Sequence, residues 1–211
     1  MIHAVHISKQ FDGRTVLDDI SVEFQTGSTN LIIGRSGSGK TVLLKTLVGL
    51  HEPDEGSVWY DDRNFTALGF HERKAIRKDI GMIFQGGALL DSSTVEENVK
   101  LPLDLFTTQS EAEKLERVNF CLQRVRLENA NHLYPAELSG GMKSRVSLAR
   151  ALLYGGDLFL LDEPFSALDA DLRRRLSDRL RVKWKQAGAA VLLVTHQQED
   201  AERLGGRVLR L

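Results

Sequence analysis

The chain has 211 residues, 42% of them hydrophobic and 27% charged, with a formal net charge of -1. That is enough to bury a sizeable core as one domain, and the near-neutral balance excludes the bulk basic field of many nucleic-acid binders. The single cysteine, Cys121, excludes an intramolecular disulfide and a multi-cysteine metal site, which suits a reducing compartment.

In chain order, residues 2–7, 20–24 and 57–60 are short, β-branched or aromatic-rich segments separated by Gly and Asp, which predicts strands of a small antiparallel sheet. Phe11 follows the first of them and on its own reads as a packed loop aromatic. An apolar run predicts a buried strand over 29–33, and a helix is expected over 41–50. Residues 72–77 read as helix and 80–84 as a buried strand ending at Gln85. From 86 to 138 the pattern turns helical. Ser110 and Glu113 form a capping box, Leu115, Val118, Leu122 and Val125 recur along one face, and Pro102 and Pro135 punctuate the segment. Cys121 falls within this helix as a packing residue.

A further helix is expected over 143–153, then an apolar strand over 158–161. Next comes a charged helix over 171–187, with Leu172, Leu176 and Leu180 on one side and Gly188 as its stop, and then a buried strand over 189–195. Strands alternating with helices predict an α/β fold with a mostly parallel sheet and its ligand site at the carboxyl ends of the strands. The antiparallel strands make an N-terminal β subdomain, and 86–138 is a helical insertion.

The chemistry gathers at the turns. Gly34, Arg35, Ser36, Gly37, Ser38, Gly39, Lys40 and Thr41 fit G-x-x-x-x-G-K-[ST] between a strand and a helix. Glycines let the backbone wrap tightly with N–H groups pointing at phosphate oxygens, and the helix N-terminus favours the anion. Lys40 would reach the β- and γ-phosphates and Thr41 would ligate Mg²⁺. A turn that binds nothing needs no lysine followed by threonine at that spacing. Asp162 and Glu163 end an apolar strand, where paired carboxylates are costly unless they meet a cation. Asp162 fits the Mg²⁺ shell, and Glu163 fits the group that orients or deprotonates water. His196 and Gln85 also stand at strand ends. Each fits either a structural polar residue or a contact to the same site, Gln85 as a sensor of Mg²⁺ and the nucleophilic water. Ser139, Gly140 and Gly141 open a helix and make a second anion site, which suggests a dimer.

The ordered set of 34–41, Gln85, Leu138-Ser-Gly-Gly-Met142, 158–163, Ser166-Ala-Leu-Asp169 and His196 resembles the nucleotide-binding domain of ABC transporters over essentially the whole chain. The resemblance implies a single ABC ATPase domain over 1–211 with a P-loop NTPase core, its α/β core formed by 1–85 and 139–211 and its helical signature subdomain by 86–138. It implies a head-to-tail, ATP-dependent homodimer that sandwiches two ATPs, each between one copy's phosphate loop and the other's Ser139-Gly140-Gly141. By the same resemblance Phe11 would stack on adenine, Asp169 would signal across the dimer, His196 would contact the γ-phosphate and Glu163 would be the catalytic base. ATP and Mg²⁺ are the implied cofactors and integral membrane permease subunits the implied partners; nucleic acid is not expected.

A finer likeness lies in residues 84–99, Leu101-Pro-Leu103 and 134–142, which resemble the ATPases of Mla-type, MCE-associated systems that move phospholipids between the membranes of Gram-negative envelopes. Phospholipid is therefore the expected cargo. Residues 163–170 resemble small-solute importer ATPases at least as well, so a small solute is the alternative. A soluble ABC ATPase of translation or DNA repair is the alternative of another class. Translation types usually carry two cassettes and repair types long coiled coils, neither of which fits one compact cassette. No apolar run approaches the about 18–20 residues of a bilayer span, and the N-terminus lacks the charged-then-apolar pattern of a signal peptide. A cytoplasmic location, peripheral at the inner face of the cell membrane through a permease, is expected.

Overall fold

A computed structural model describes residues 1–84, 87–154 and 157–211. In chain order the elements are β1 (Ile2–Phe11), β2 (Arg14–Phe24), β3 (Thr29–Ile33), α1 (Lys40–Leu47), β4 (Glu55–Tyr60), β5 (Arg63–Asn64), α2 (Phe70–Arg77), β6 (Ile80–Ile83), α3 (Val95–Phe106) and α4 (Glu111–Arg124). They continue with α5 (Gly140–Tyr154), β7 (Leu158–Asp162), α6 (Ala170–Ala187), β8 (Ala190–Thr195), α7 (Gln198–Leu204) and β9 (Arg207–Arg210). The chain divides into two compact units, Met1–Ile80 with Asp157–Asp162 and Val182–Leu211, and Gly81–Gly156 with Glu163–Arg181.

The first unit holds two sheets. The antiparallel one runs β2-β1-β4-β5, and the parallel one contains the consecutive strands β7-β8-β3-β9. The sequence pattern placed only the second half of β2, because Asp18-Asp19 reads as a turn. In the fold Asp19 adopts φ 49 and His6 φ 54, each beside a point where the pairing register shifts. Ser8 Oγ accepts the Asp19 N–H at 3.1 Å and Ser21 Oγ accepts that of His6 at 2.9 Å, so side-chain hydroxyls satisfy the two amides where the ladder is irregular. The strand β9 had no sequence expectation. It is four residues long and flanks β3 in parallel, with Ile32 opposite Leu209 and Ile33 opposite Arg210. The helix α1 begins at Lys40 and ends at Leu47, short of the expected residue 50. Gly49 takes φ 66, and its N–H and that of Leu50 close onto Thr46 and Lys45 carbonyls, a left-handed stop.

In the second unit α3, α4 and α5 pack together, burying Val95, Val99, Leu103, Val118, Leu122, Val125, Val146 and Ala149. Two of its helices open on reciprocal caps, Thr94 with Glu97 and Ser110 with Glu113. The Pro102 expected to punctuate this segment instead lies inside α3. Leu115, expected on the apolar face of α4, is 39% exposed; the buried stripe is Val118, Cys121 and Leu122, led by Lys114, whose ammonium is tied to Asp104 and Glu111. Cys121 is buried, as its packing role required. The helix α5 starts at Gly140, three residues before the expected 143.

Candidate functional site

In the first unit the loop 34–39 leaves β3 and enters α1. Sterics dictate its glycines: a Cβ at Gly34 would stand 2.3 Å from the Leu211 carbonyl oxygen and 2.6 Å from Ser38 Oγ, and Gly39 holds φ 90 with Val16 O and Leu17 Cδ2 each 2.8 Å from where its Cβ would be. Inside the loop, Lys40 is 6% exposed and its ammonium donates to the carbonyls of Gly34 (2.9 Å) and Arg35 (2.6 Å). A buried cation solvated by loop carbonyls is a charge held ready for an anion. Ser38 Oγ is buried there without a hydrogen-bond partner.

Parallel pairing brings the second half of the donor set to the same level. Asp162 is in register with Val194, which is in register with Ile32, so β7, β8 and β3 end within a residue of one another. Asp162, 1% exposed, accepts a 2.8 Å hydrogen bond from Thr41 Oγ1. Thus two residues 121 positions apart, both read from the sequence as cation ligands, are in direct contact. Their hydroxyl and carboxylate oxygens are hard donors of the kind Mg²⁺ takes. A cation of that kind keeps several waters and takes phosphate oxygens in its remaining positions. The residues present therefore fit Mg²⁺ with a phosphorylated ligand.

His196 follows β8 directly and is exposed. The turn it occupies is fixed by Thr195, whose hydroxyl donates to Asp200 at 3.1 Å and accepts the Gln197 N–H at 3.0 Å. Phe11 ends β1, 37% exposed, with its ring edge-on to His51 at 5.3 Å and the Lys9 ammonium 5.5 Å from its centroid.

The other expected site residues belong to the second unit. Ser139 caps α5, its carbonyl accepting from Lys143 N–H at 3.0 Å and its hydroxyl from Met142 N–H at 3.3 Å, so exposed Gly140 and half-buried Gly141 form the first turn. A Cβ at Gly141 would approach the Ala167 carbonyl to 3.1 Å. Asp169 caps α6, its carboxylate accepting the Leu172 N–H at 2.9 Å. Glu163 adopts φ 49, a left-handed conformation uncommon for a side-chain-bearing residue, and its carbonyl accepts both the amide and the hydroxyl of Ser166. Gln85 lies outside the described residues.

Sequence reading missed the supports of these groups. Asp54 and His51 sit in a polar stretch that reads as a plain turn, and Asn98 looks like an ordinary helical residue. Yet Asn98 is fully buried, accepting the Leu90 N–H and donating to the carbonyls of Leu90, Ser93 and Thr94 at 2.8–3.0 Å. Only contact across a loop gives these residues meaning.

A sequence profile described as ABC transporter matches residues 17–166. The chain is 38% identical over 204 residues to a sulfate/thiosulfate import ATP-binding protein, CysA, of Mesostigma viride, covering 97% of this chain and 57% of that protein. A probable protein of the same kind from Chlorella vulgaris is 38% identical over 206 residues and is covered to 85%. A methionine import ATP-binding protein, MetN, of Clostridioides difficile is 39% identical over 208 residues, covering 99% of this chain and 64% of that one. Among solved structures, the dimeric structure of MJ0796, a bacterial ABC transporter cassette, superposes with a TM-score of 0.92 at 32% identity, covering 100% of this chain and 94% of that one. A second dimeric structure of that cassette, in a post-hydrolysis state bound to ADP and Pi, superposes with a TM-score of 0.91 at 33% identity, covering the same shares of each chain.

Proposed function

This chain belongs to the ABC transporter family, and from that premise we propose that it is the ATP-binding and ATP-hydrolysing subunit of a transporter that imports a small solute. The observation that carries the reading is the 2.8 Å contact of the Thr41 hydroxyl with Asp162, beside the buried Lys40 ammonium and glycine loop. Lys40 exchanges its loop carbonyls for the β- and γ-phosphate oxygens of ATP. Thr41 and Asp162, with Gln85, hold Mg²⁺, which when bound neutralises charge on the transferring phosphoryl group. Phe11 stacks on the base. Glu163, next in the chain after Asp162, takes the proton of the attacking water, and His196 contacts the γ-phosphate. Ser139, Gly140 and Gly141 serve the nucleotide of a second copy, and Asp169 signals between the copies, so two chains close head to tail on two ATPs and separate after hydrolysis. The single domain divides by role into 1–85 with 139–211 as nucleotide core and 86–138 as the segment that meets the permease.

The cargo reading follows the relatives. Those named above are import ATP-binding proteins for sulfate or thiosulfate and for methionine, which supports the small-solute alternative over the phospholipid cargo expected from residues 84–99, 101–103 and 134–142. The chain spans 57% of the first of these relatives and 64% of the methionine importer, so their substrates enter only as a class. Among the described residues no helix is long and apolar enough to cross a membrane, and membrane attachment is proposed through permease subunits, on the inner face.

The test is nucleotide binding and turnover in the purified chain. Glu163→Gln is expected to give an ATP-stabilised dimer with little hydrolysis, and Lys40→Ala to lose ATP binding. Undiminished hydrolysis in the first would remove Glu163 from its role, and unchanged ATP affinity in the second would refute the phosphate loop. Co-purification with an integral membrane protein supports the transporter. Stable association with ribosomes or DNA overturns it.

A further inference from the structure

The end of β1 is held by more than its sheet. The Asp54 carboxylate accepts from Lys9 Nζ at 2.7 Å and from the Gln10 backbone N–H at 2.6 Å, and the Asp54 N–H donates back to the Ser8 carbonyl at 2.9 Å. Three consecutive residues leading into Phe11 are thus tied to one aspartate 44 or more positions away in sequence. The aspartate gains from the arrangement: the Lys9 ammonium and Gln10 amide hold its carboxyl below the usual range. On the other side, His51 meets the Phe11 ring edge at 5.3 Å and an interplanar angle of 73°. Partial burial and the neighbouring Lys45 and Lys9 push the His51 pKa down. A third of the Phe11 surface remains open to solvent.

An aromatic ring recognises a flat base only if its plane is fixed beforehand, because ordering a free side chain and hairpin tip on binding would consume the stacking energy. We propose that Asp54 and His51 are positioning residues for the base, fixing the backbone and the ring plane of Phe11 as the platform on which the adenine of the nucleotide stacks. The proposal rests on the reading of Phe11 as the base contact, and it adds a base-affinity function to two residues that touch neither phosphate nor metal donors. Because the tie runs through the tip of β1 and not through the phosphate loop, their effect is confined to the base half of the ligand.

The experiment compares binding of Mg²⁺–ATP and Mg²⁺–tripolyphosphate, which lacks the base, by calorimetry on the full chain. Phe11→Ala tests the platform itself, and stacking of this kind sets the expected loss of ATP affinity at about tenfold with tripolyphosphate unchanged. Asp54→Ala and His51→Ala should each weaken ATP by about three- to tenfold while moving tripolyphosphate by less than about twofold. Asp54→Asn, which keeps an acceptor for the Gln10 amide, and His51→Phe, which keeps an aromatic edge, should recover most of the loss. If Phe11→Ala leaves the ATP-to-tripolyphosphate ratio unchanged, the base-platform reading fails. If Phe11→Ala lowers that ratio and neither Asp54→Ala nor His51→Ala does, the positioning proposal is overturned with the platform intact. An equal loss for both ligands in the Asp54 or His51 variants makes these residues general scaffolding and also overturns it.

Discussion

At the scale of single residues, the Thr41 hydroxyl carries two burdens, since it donates to a carboxylate that is almost fully buried and is proposed to face the cation. Thr41→Val keeps the shape and removes the donor, so it should cost about 1–3 kcal/mol of stability, measured by urea unfolding without nucleotide. The same variant should lower ATP affinity in Mg²⁺ while leaving affinity in EDTA nearly unchanged; an equal loss in both media would deny Thr41 a metal role. Asn98 makes a sharper structural case. Its amide closes the loop 90–94 with four hydrogen bonds, and Asn98→Leu strands those partly buried partners. The expected destabilisation of about 1–3 kcal/mol or more should appear in amide exchange of 90–98 before it appears elsewhere.

At the scale of elements, α3 and α4 are joined by charge. Lys100 of α3 and Lys114 of α4 both donate to Glu111, holding its carboxyl below the ordinary range, and the Ser110 hydroxyl and amide do the same for Glu113. A carboxyl depressed by folding adds stability that is complete above its unfolded pKa, about 4.3, and is lost as pH falls through the folded value. The second unit should therefore weaken below about pH 4.3, less steeply in Glu111→Gln and in high salt, because the groups are exposed and screened. Urea midpoints followed from pH 7 to 3 check this; identical slopes with and without Glu111 would refute it. Ser110→Ala should cost about 0.5–2 kcal/mol through the lost cap.

Legibility followed locality at this scale. The capping box of α4, the strand β3 at 29–33 and the glycine loop were all readable, because each is specified by neighbours in the chain. The length of β2, the strand β9 and the exposure of Leu115 were not, because they depend on Ser8 facing Asp19, on β3 offering an edge, and on Lys114 finding Asp104. In the candidate site the phosphate loop and the acidic strand end were legible as motifs. Their contact through Thr41 and Asp162, and the supports at Asp54, His51 and Asn98, were legible only in space.

At the scale of the whole molecule, the phosphate loop belongs to one compact unit and Ser139 to Gly141 to the other. On the proposed mechanism the second is used by a neighbouring copy. Ser139→Arg, placing a bulky cation on an exposed helix start, should abolish the ATP-stabilised dimer of Glu163→Gln while leaving monomeric ATP binding within about twofold, a shift of less than ~0.4 kcal/mol. Light scattering with and without Mg²⁺–ATP decides it, and a dimer that survives would place the shared contact elsewhere.

The level strand ends carry one more consequence, for how the fold tolerates error. In β7 the residues Phe159, Leu160 and Leu161 are buried on alternating faces, so hydrophobicity alone does not distinguish this strand from the same strand slid by one position. A slip of that kind would keep the core oily and turn Asp162 to the opposite face. A deletion of one leucine from β7 is therefore a mistake that folding would forgive and chemistry would not: a chain still compact by every bulk measure, with its carboxylate aimed away from Thr41. The polar contact at the strand's end is what tells the right alignment from its silent neighbour.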